Sequence, residues 1–516
     1  TLVRGMSYSS QINRKYDQPL VRGAKLTDVP SHSWILPTLL TQAGVKILHI
    51  GCNPGSVSPD IPTLFWWEGP DGSRLLTFNW AEYYGSGVLP PATWKYKTWL
   101  AMIHTHENTG APTPEDVAAV LKEAREKAPN ARIRIGQLED FYDALMKENP
   151  SLPVVKGDMP DTWIHGYMSM PKEVKINKAM QRVIYNTETL NSLLKQWDIT
   201  PEPVEPYVEK AIEQSLLFDE HTFGLAMSHG HQDFWKYGDD FTVSRAQGLY
   251  DFIETSWNEK GSRAHRAEQY IIPSLRKDLK KLAQNVAVKG RKVVVYNPLP
   301  WKRSGLVSFH MGVYKKNYQV YGLKDELTGK ILPVYNDYNH LSFHEEDIPS
   351  LGYKTYTLVT SPISEDSRSS RIDEVEAVLE NNYFKIEINK KNGALLSVWD
   401  KQQQKEMVDG KNEYGFGEYI HEKFGQEEIN RYNANYVKPG HHGWADQEMG
   451  RPENPDLKYE MIKGRLNKIK YLQTSHSVSA TAFCQTGAGD DYTLTYPLVD
   501  SSPYLEICWG IRNKPA

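Results

Sequence analysis

The spacing of hydrophobic and polar residues changes twice along the chain, and each change marks a different kind of structure. In the first region, short apolar runs alternate with the segments 115–127 and 138–148, whose apolar residues recur at helical spacing. Strands that alternate with helices are typical of a parallel sheet or barrel, so residues 1–165 are predicted to form an incomplete α/β barrel-like domain. The runs that predict strands include residues 45–50, 74–78, 100–104 and 132–135.

Longer amphipathic segments follow. Residues 172–197 place apolar side chains on one face of a helix, and residues 205–220 do the same after a proline-rich stretch. Two further segments, 246–257 and 265–282, show helical spacing as well. Long helices with short connections predict a helical bundle, which we place at residues 166–288.

Beyond the bundle, the segments become short and alternating, with frequent Gly, Asn and Pro between them. Residues 383–388 alternate with period two and are followed by Asn392-Gly393 and a second apolar run at 394–399. An Asn-Gly pair between two such runs is a strong signal for a β-hairpin. Two β regions are therefore predicted, a small β domain at 289–365 and a β-sandwich at 366–516.

Length and composition are those of a multidomain globular protein. A chain of 516 residues exceeds the size at which one hydrophobic core stops growing, about 250–300 residues. The net charge of -4 gives no field that would attract nucleic acid, and no apolar run approaches the ~20 residues of a membrane span. We therefore expect neither a nucleic-acid partner nor membrane insertion. The oligomeric state stays open, with a homo-oligomer compatible with these features.

The three cysteines, Cys52, Cys484 and Cys508, are scattered and form no CxxC spacing. Such a set is neither a disulfide framework nor a zinc–thiolate site. It favours a reducing compartment such as the cytoplasm, although the sequence does not determine the compartment.

Two loops in the first region carry candidate catalytic residues. Asp28 and His32 lie four residues apart in a proline-containing loop, where they could ligate a metal or pair a nucleophile with its partner. The alternative is a turn capped by Asp28 beside a solvated His32. Glu107 follows the apolar run 100–104, and strand ends in α/β folds face the active site. It is either a general acid or part of a polar loop.

A cluster of histidines and acids follows the helical segment 205–220. His221, His229 and His231 lie close together and near several carboxylates. Imidazole and carboxylate ligands suit a borderline divalent ion such as zinc. A structural role for each histidine is the alternative.

Several segments resemble family 38 α-mannosidases, in the same order along nearly the whole chain. Residues 28–37 resemble the family's Asp-Pro-Phe-Gly-His-Ser … Pro segment, and residues 65–73 resemble its F-x-W … D-G-S strand pair. Residues 136–171 follow the run that leads into its helical bundle, and residues 384–424 resemble its C-terminal sandwich. The shared order, rather than any single motif, carries the resemblance.

This resemblance implies a retaining glycoside hydrolase that uses a divalent metal, with zinc as the expected ion. Asp28 occupies the position of the family's aspartate that is both nucleophile and metal ligand. Glu107 is the nearest match to the acid/base residue. His221 best matches the histidine that completes the metal site, with His229 or His231 as the alternative, and His231 is also a candidate ligand beside His221.

The chain departs from the family pattern at several points. No His-x-Asp pair precedes Asp28, because residues 1–27 contain no histidine. Ser31 stands where family members usually carry glycine, and the acid/base candidate is Glu107 rather than an aspartate, with Asn108 as the alternative register. These departures predict a divergent member whose sequence lacks both ends of the family's length.

The chain contains 14 tryptophans and 30 tyrosines, which fit either large cores or sugar binding, since flat ring faces stack on sugars. Trp66, Trp67 and Trp163 are candidate sugar platforms, with core packing as the alternative, and His32 is a further candidate substrate contact.

The function predicted from the sequence is hydrolysis of an α-linked glycoside, first of all an α-mannoside, in an oligosaccharide or glycan. Action on another sugar, including elimination on a uronic acid, is one alternative. A non-catalytic carbohydrate-binding protein is the other.

Overall fold

The structure is a computed structural model that divides into two compact units. The first comprises Thr1–Tyr185, Val204–Pro273 and Glu427–Asn454; the second comprises Asn186–Pro203, Ser274–Gln426 and Pro455–Ala516. The four domains drawn from the sequence stay a prediction. The structure describes residues 2–29, 31–104, 110–160, 167, 169–225, 236, 238–311, 319–337, 340–363, 369–438, 458–474, 477–487, 491–500 and 502–512.

The helices predicted at 115–127, 138–148, 172–197 and 205–220 are confirmed to within two residues at each end. Four further helices were not predicted: Leu2–Lys15, Leu36–Gln42, Gly238–Ala246 and Gln426–Tyr436. The helix from Pro114 begins after Thr113, whose side chain accepts a hydrogen bond from the backbone N–H of Asp116 in a capping box. None of the helices in the described part of the chain is long and apolar enough to cross a bilayer. The helices are α1 (Leu2–Lys15), α2 (Leu36–Gln42), α3 (Pro114–Lys127), α4 (Leu138–Met146), α5 (Pro171–Gln196), α6 (Glu205–Asp219), α7 (Gly238–Ala246), α8 (Asp251–Asn285) and α9 (Gln426–Tyr436).

The prediction of two separate helices at 246–257 and 265–282 is wrong, because the single helix α8 runs through both. Polar residues and Gly261 interrupt the apolar pattern between them. Ala264 and Ala267 are nevertheless fully buried, so tertiary packing stabilises helix where the sequence pattern is weak.

Six β-sheets are present in the described residues. Their strands are β1 (Gly23–Thr27), β2 (Ile47–Gly51), β3 (Leu64–Glu68), β4 (Arg74–Trp80), β5 (Val154–Lys156), β6 (Lys292–Asn297), β7 (Arg303–His310), β8 (Gly322–Asp325), β9 (Ile331–Pro333), β10 (Tyr335–Asp337), β11 (His340–Ile348), β12 (Gly352–Val359), β13 (Arg371–Asp373), β14 (Val378–Glu380), β15 (Phe384–Ile388), β16 (Leu395–Asp400), β17 (Lys405–Glu406), β18 (Ile420–Lys423), β19 (Glu460–Lys463), β20 (Arg465–Gln473), β21 (Ser477–Gln485), β22 (Asp491–Val499) and β23 (Cys508–Arg512).

The first unit contains a five-stranded sheet in the order β1-β2-β4-β3-β5. Strands β1, β2 and β4 are parallel, as predicted, whereas β3 runs antiparallel to β4. The connection between them is a tight turn in which the Gly72 N–H donates to the Gly69 carbonyl and Gly72 has a φ of +82°. Such a turn is too short for a crossover, so the chain must return antiparallel.

Two predicted strands of this region are wrong. Residues 100–104 form no strand, because the Leu100 carbonyl and the Met102 N–H both bond to the Ser86 hydroxyl instead of a neighbouring strand. Residues 132–135 are exposed throughout and lie outside every sheet. An apolar run predicts a strand only when a partner edge is within reach.

Alternating side chains of the fully buried strand β2 enter two different cores. Leu48 and Ile50 pack with Phe65 on one side of the sheet. Ile47 packs with Leu145 of α4 on the other. The carboxyl ends of β1, β2 and β4 are thereby fixed at one edge of a rigid sheet.

In the second unit, the predicted hairpin at Asn392-Gly393 is confirmed between β15 and β16. Buried residues of two C-terminal sheets form one hydrophobic core: β14, β15 and β16 contribute Leu379, Ile386 and Val398, and the other sheet contributes Leu494 and Leu498. A separate core joins the sheets of β6 to β12. Each β region thus has its own apolar core.

Gly393 tests the hairpin. Its φ of +79° suits glycine, and a Cβ there would lie 2.9 Å from Cys484 Sγ. Gly393→Ala should lower the free energy of unfolding by about 1–3 kcal/mol in urea denaturation followed by circular dichroism. The control Gly410→Ala, whose Cβ would meet nothing within 4 Å, should change it by less than about 0.5 kcal/mol. Equal losses in both variants would contradict the assignment.

Candidate active site

The centre of the candidate site is Asp28, which directly follows β1 at the carboxyl edge of the sheet. Its φ is +58°, a left-handed conformation that turns the chain away from the strand direction. Its Oδ1 accepts hydrogen bonds from the Tyr84 hydroxyl at 2.5 Å and from Asn53 Nδ2 at 2.9 Å. Two donors from separate loops therefore fix the orientation of this carboxylate.

Gly51 makes this arrangement possible. A Cβ on Gly51, the last residue of β2, would lie 2.7 Å from the Cα of Tyr84. The missing side chain lets the loop after β4 come close enough for the Tyr84 hydroxyl to reach Asp28. Tyr84 and Asn53 belong to no motif in the sequence. The available signal was their position just after predicted parallel strands.

His221 meets Asp28 from a distant part of the sequence. It lies just after α6, and its Nε2 is 3.1 Å from Asp28 Oδ2, across 193 positions of chain. Its Nδ1 is 2.6 Å from Glu220 Oε1. The hydrogen bonds with Asp28 and then Glu220 raise the pKa of His221 to about 9, so without a bound cation the imidazole carries a proton on both nitrogens.

Glu220 completes this group as a strongly held anion. Burial alone would raise its pKa, but hydrogen bonds from His221 and from the hydroxyl and backbone N–H of Thr222 outweigh that cost and hold the pKa at about 2. The Thr222 N–H lies 3.0 Å from Glu220 Oε2. In the sequence, Glu220 is one of the acids in the cluster around His221, without an individual role.

His32 lies beside Asp28 but is buried, not solvated. Its backbone pairs with Met159 in an isolated bridge, with both hydrogen bonds at 2.9 Å. Burial lowers the pKa of His32 to about 4, so the imidazole is neutral near pH 7. The preceding residue, Ser31, has a φ of +60°, which explains why a glycine would suit this position.

Two cavities adjoin these residues. Asp28 and His32 line a small one of ≈ 20 Å³. His32 also lines a larger one of ≈ 820 Å³, together with Glu220 and His221. The larger cavity mixes apolar walls with a few polar groups, which is typical of a small-molecule site.

The prediction that Trp67 is a sugar platform is wrong. It is fully buried in the sheet core, where its indole N–H donates to the Gly157 carbonyl at 3.1 Å, so no sugar can reach its ring. Trp66 is partly buried against the core on the opposite side of the sheet and lines neither cavity. The structure therefore favours core packing for both.

Other predicted site residues lie outside the described part of the chain: Glu107, Asn108, Trp163, His229 and His231. The last described residue before Glu107 in the sequence is His104. Its ring lies 5.4 Å from the Tyr84 ring, and Tyr84 holds Asp28. His104, the last described residue before this gap, therefore packs against a residue that donates a hydrogen bond to Asp28.

Asp28 and His221 have the chemistry of a divalent metal site. Two ligand atoms on a tetrahedral zinc, each bonded at about 2.0–2.1 Å, lie about 3.3 Å apart. The 3.1 Å between Asp28 Oδ2 and His221 Nε2 is close to that separation. Within the described ranges, no group of three His, Cys, Asp or Glu side chains could hold a metal. The pair fits two ligands of such a site.

No protein-family model matches the chain, and no curated protein matches it. Solved structures, in contrast, are similar to the chain. An α-mannosidase from Enterococcus faecalis V583 aligns with a TM-score of 0.59 at 13% identity, over 97% of this chain and 62% of that one. A protein in glycosyl hydrolase family 38 from Enterococcus faecalis aligns with a TM-score of 0.60 at 12% identity, over 97% and 60%. The chain therefore spans about 60% of the length of these structures and shares their fold over that part.

Proposed function

We propose that this protein is a metal-dependent, retaining glycoside hydrolase that acts on α-linked glycosides, with α-mannosides as the first substrate class. The observation that carries the proposal is the 3.1 Å contact between Asp28 and His221 beside the large cavity. The fold shared with an α-mannosidase supports the same reaction class.

Asp28 is the proposed nucleophile. Tyr84 and Asn53 hold Oδ1, which aims the carboxylate before the substrate arrives and reduces the orientational cost of attack on the anomeric carbon. Asp28 and His221 would hold a divalent cation such as zinc, which would supply Lewis acidity toward sugar hydroxyl groups. His231 is a further proposed ligand.

Glu107 is the proposed acid/base residue. In a retaining enzyme it would protonate the departing oxygen and then activate water, with the two carboxyl groups about 5–5.5 Å apart. The packing of His104 against Tyr84 supports this role, because it brings the chain three residues before Glu107 close to a residue that contacts Asp28.

We further propose the finer architecture that the family fold implies. The five-stranded sheet would be part of a barrel, and the two C-terminal sheets would be the layers of a β-sandwich. The hydrophobic core shared by those two sheets supports the sandwich.

An aryl-glycoside panel tests the substrate class. We expect turnover of an aryl α-mannoside in the presence of Zn²⁺, loss of turnover after chelation, and recovery when Zn²⁺ is restored. Proton NMR should show the α-anomer of the free sugar first, since retention requires two displacements. Release of an unsaturated product from a uronate oligosaccharide assayed beside the panel, or sugar binding without any turnover, would instead support the alternatives raised by the sequence.

Asp28→Asn tests the nucleophile. It should lower kcat/KM at least about 10³-fold, because an amide is a poor nucleophile and a poor metal ligand. Asp17→Asn is a matched control, since Asp17 is exposed and has a similar φ of +56°. Comparable activity in both variants would remove Asp28 from the mechanism.

Glu107→Gln tests the acid/base role. It should slow hydrolysis of a substrate with a poor leaving group by about 10²–10⁴-fold, but affect an activated dinitrophenyl glycoside much less, because that leaving group needs no proton. Glu115→Gln, on an exposed residue of α3, is the control. Equal losses on both substrates would reject general acid catalysis by Glu107.

A further inference from the structure

Glu220 joins the site to the helical part of the first unit. One carboxylate oxygen, Oε1, lies 2.6 Å from His221 Nδ1. The other, Oε2, lies 3.2 Å from Lys260 Nζ on α8. A continuous series of contacts therefore runs from Lys260 through Glu220 and His221 to Asp28.

Lys260 is a fixed point in this series. Its side chain is only 9% exposed, and its ammonium group donates to the carbonyls of Leu217 at 3.1 Å and Glu220 at 2.8 Å. These carbonyls lie at the C-terminal end of α6, where helical partners are missing and a cation is favoured. The ammonium group also lies 5.1 Å from the ring centroid of Phe223. Lys260 thus anchors the helix end, and the same charge holds Glu220.

The contact between Glu220 and Nδ1 of His221 determines whether the other ring nitrogen, Nε2, is available to bind a metal. A carboxylate that accepts the Nδ1 proton fixes the ring plane and leaves Nε2 as the nitrogen available to a metal. In this structure Nε2 faces Asp28 Oδ2. Glu220, which contacts Nδ1, therefore sets the orientation of the imidazole whose Nε2 faces Asp28.

We propose that Glu220 and Lys260 are positioning residues that set the metal affinity of the Asp28–His221 pair, with Lys260 acting through Glu220. This inference rests on the proposed metal-dependent function. The Glu220 side chain is 46% exposed, so its removal leaves the hydrophobic cores intact. The Glu220–His221 pair is partly exposed, at 46% and 27% of the two side chains, and such a pair contributes little to folding stability, which separates an effect of Glu220 on the metal from an effect on the fold.

Zinc affinity, measured by competition with a chromophoric chelator, tests the role of Glu220. Glu220→Ala should weaken Zn²⁺ binding by about 10–100-fold, while Glu220→Gln, which keeps an acceptor for Nδ1–H, should recover part of the loss. Glu209→Ala, on an exposed residue of α6, should bind as wild type does. Metal-free melting temperatures should agree within about 3 °C, which confirms that the variants fold.

A double variant tests the order of action. Lys260→Met alone should weaken Zn²⁺ binding several-fold, but Glu220→Ala with Lys260→Met should bind no more weakly than Glu220→Ala alone. Losses that multiply would overturn the role of Lys260 through Glu220. Wild-type affinity in Glu220→Ala would overturn the inference while leaving the proposed function in place. A wild-type protein that binds no Zn²⁺ would overturn the metal-dependent function, and this inference with it.

Discussion

The candidate site of this protein depends on a single contact between a carboxylate and an imidazole. Asp28 ends a strand and His221 follows a helix, and 193 positions separate them in sequence. Closing so long a loop costs entropy, which must be offset by the packing of both supporting elements. The sheet fixes one end of the contact and the helical core fixes the other. The chemistry proposed beside the larger cavity depends on this contact between Asp28 and His221.

The two sides of the contact are held in different ways. Asp28 receives neutral donors, the Tyr84 hydroxyl and the Asn53 amide, which arrive from loops at the carboxyl edge of the sheet. His221 is held by a charged partner, Glu220, at Nδ1, the ring nitrogen that does not contact Asp28. Neutral donors orient the carboxylate without removing its charge, while the anion behind the ring orients the imidazole. Both residues are thus aligned before any ligand binds.

Local patterns predicted the elements that depend on neighbouring residues. The hairpin at Asn392-Gly393 follows from a dipeptide that tolerates positive φ, and α3 follows from its capping residues. The predictions of strands and helices were wrong where contacts with residues distant in sequence determine the local structure. Residues 100–104 form no strand because their backbone bonds to Ser86 instead. Helix α8 continues past Gly261 because the residues that follow, Ala264 and Ala267, are buried. Burial also overruled the role suggested for Trp67.

By itself the sequence determined four helices, the hairpin at Asn392-Gly393 and the order of the segments that resemble family 38. That resemblance, rather than spacing, named Asp28 and His221 as ligands of one metal. Periodicity and segment order reside in residue type and spacing, which a chain carries before it folds. Only the tertiary structure decided that Tyr84, Asn53 and Glu220 hold that pair, and that β3 turns back against β4. Such contacts join residues with no shared spacing, and they form only once the sheet and the helices have packed.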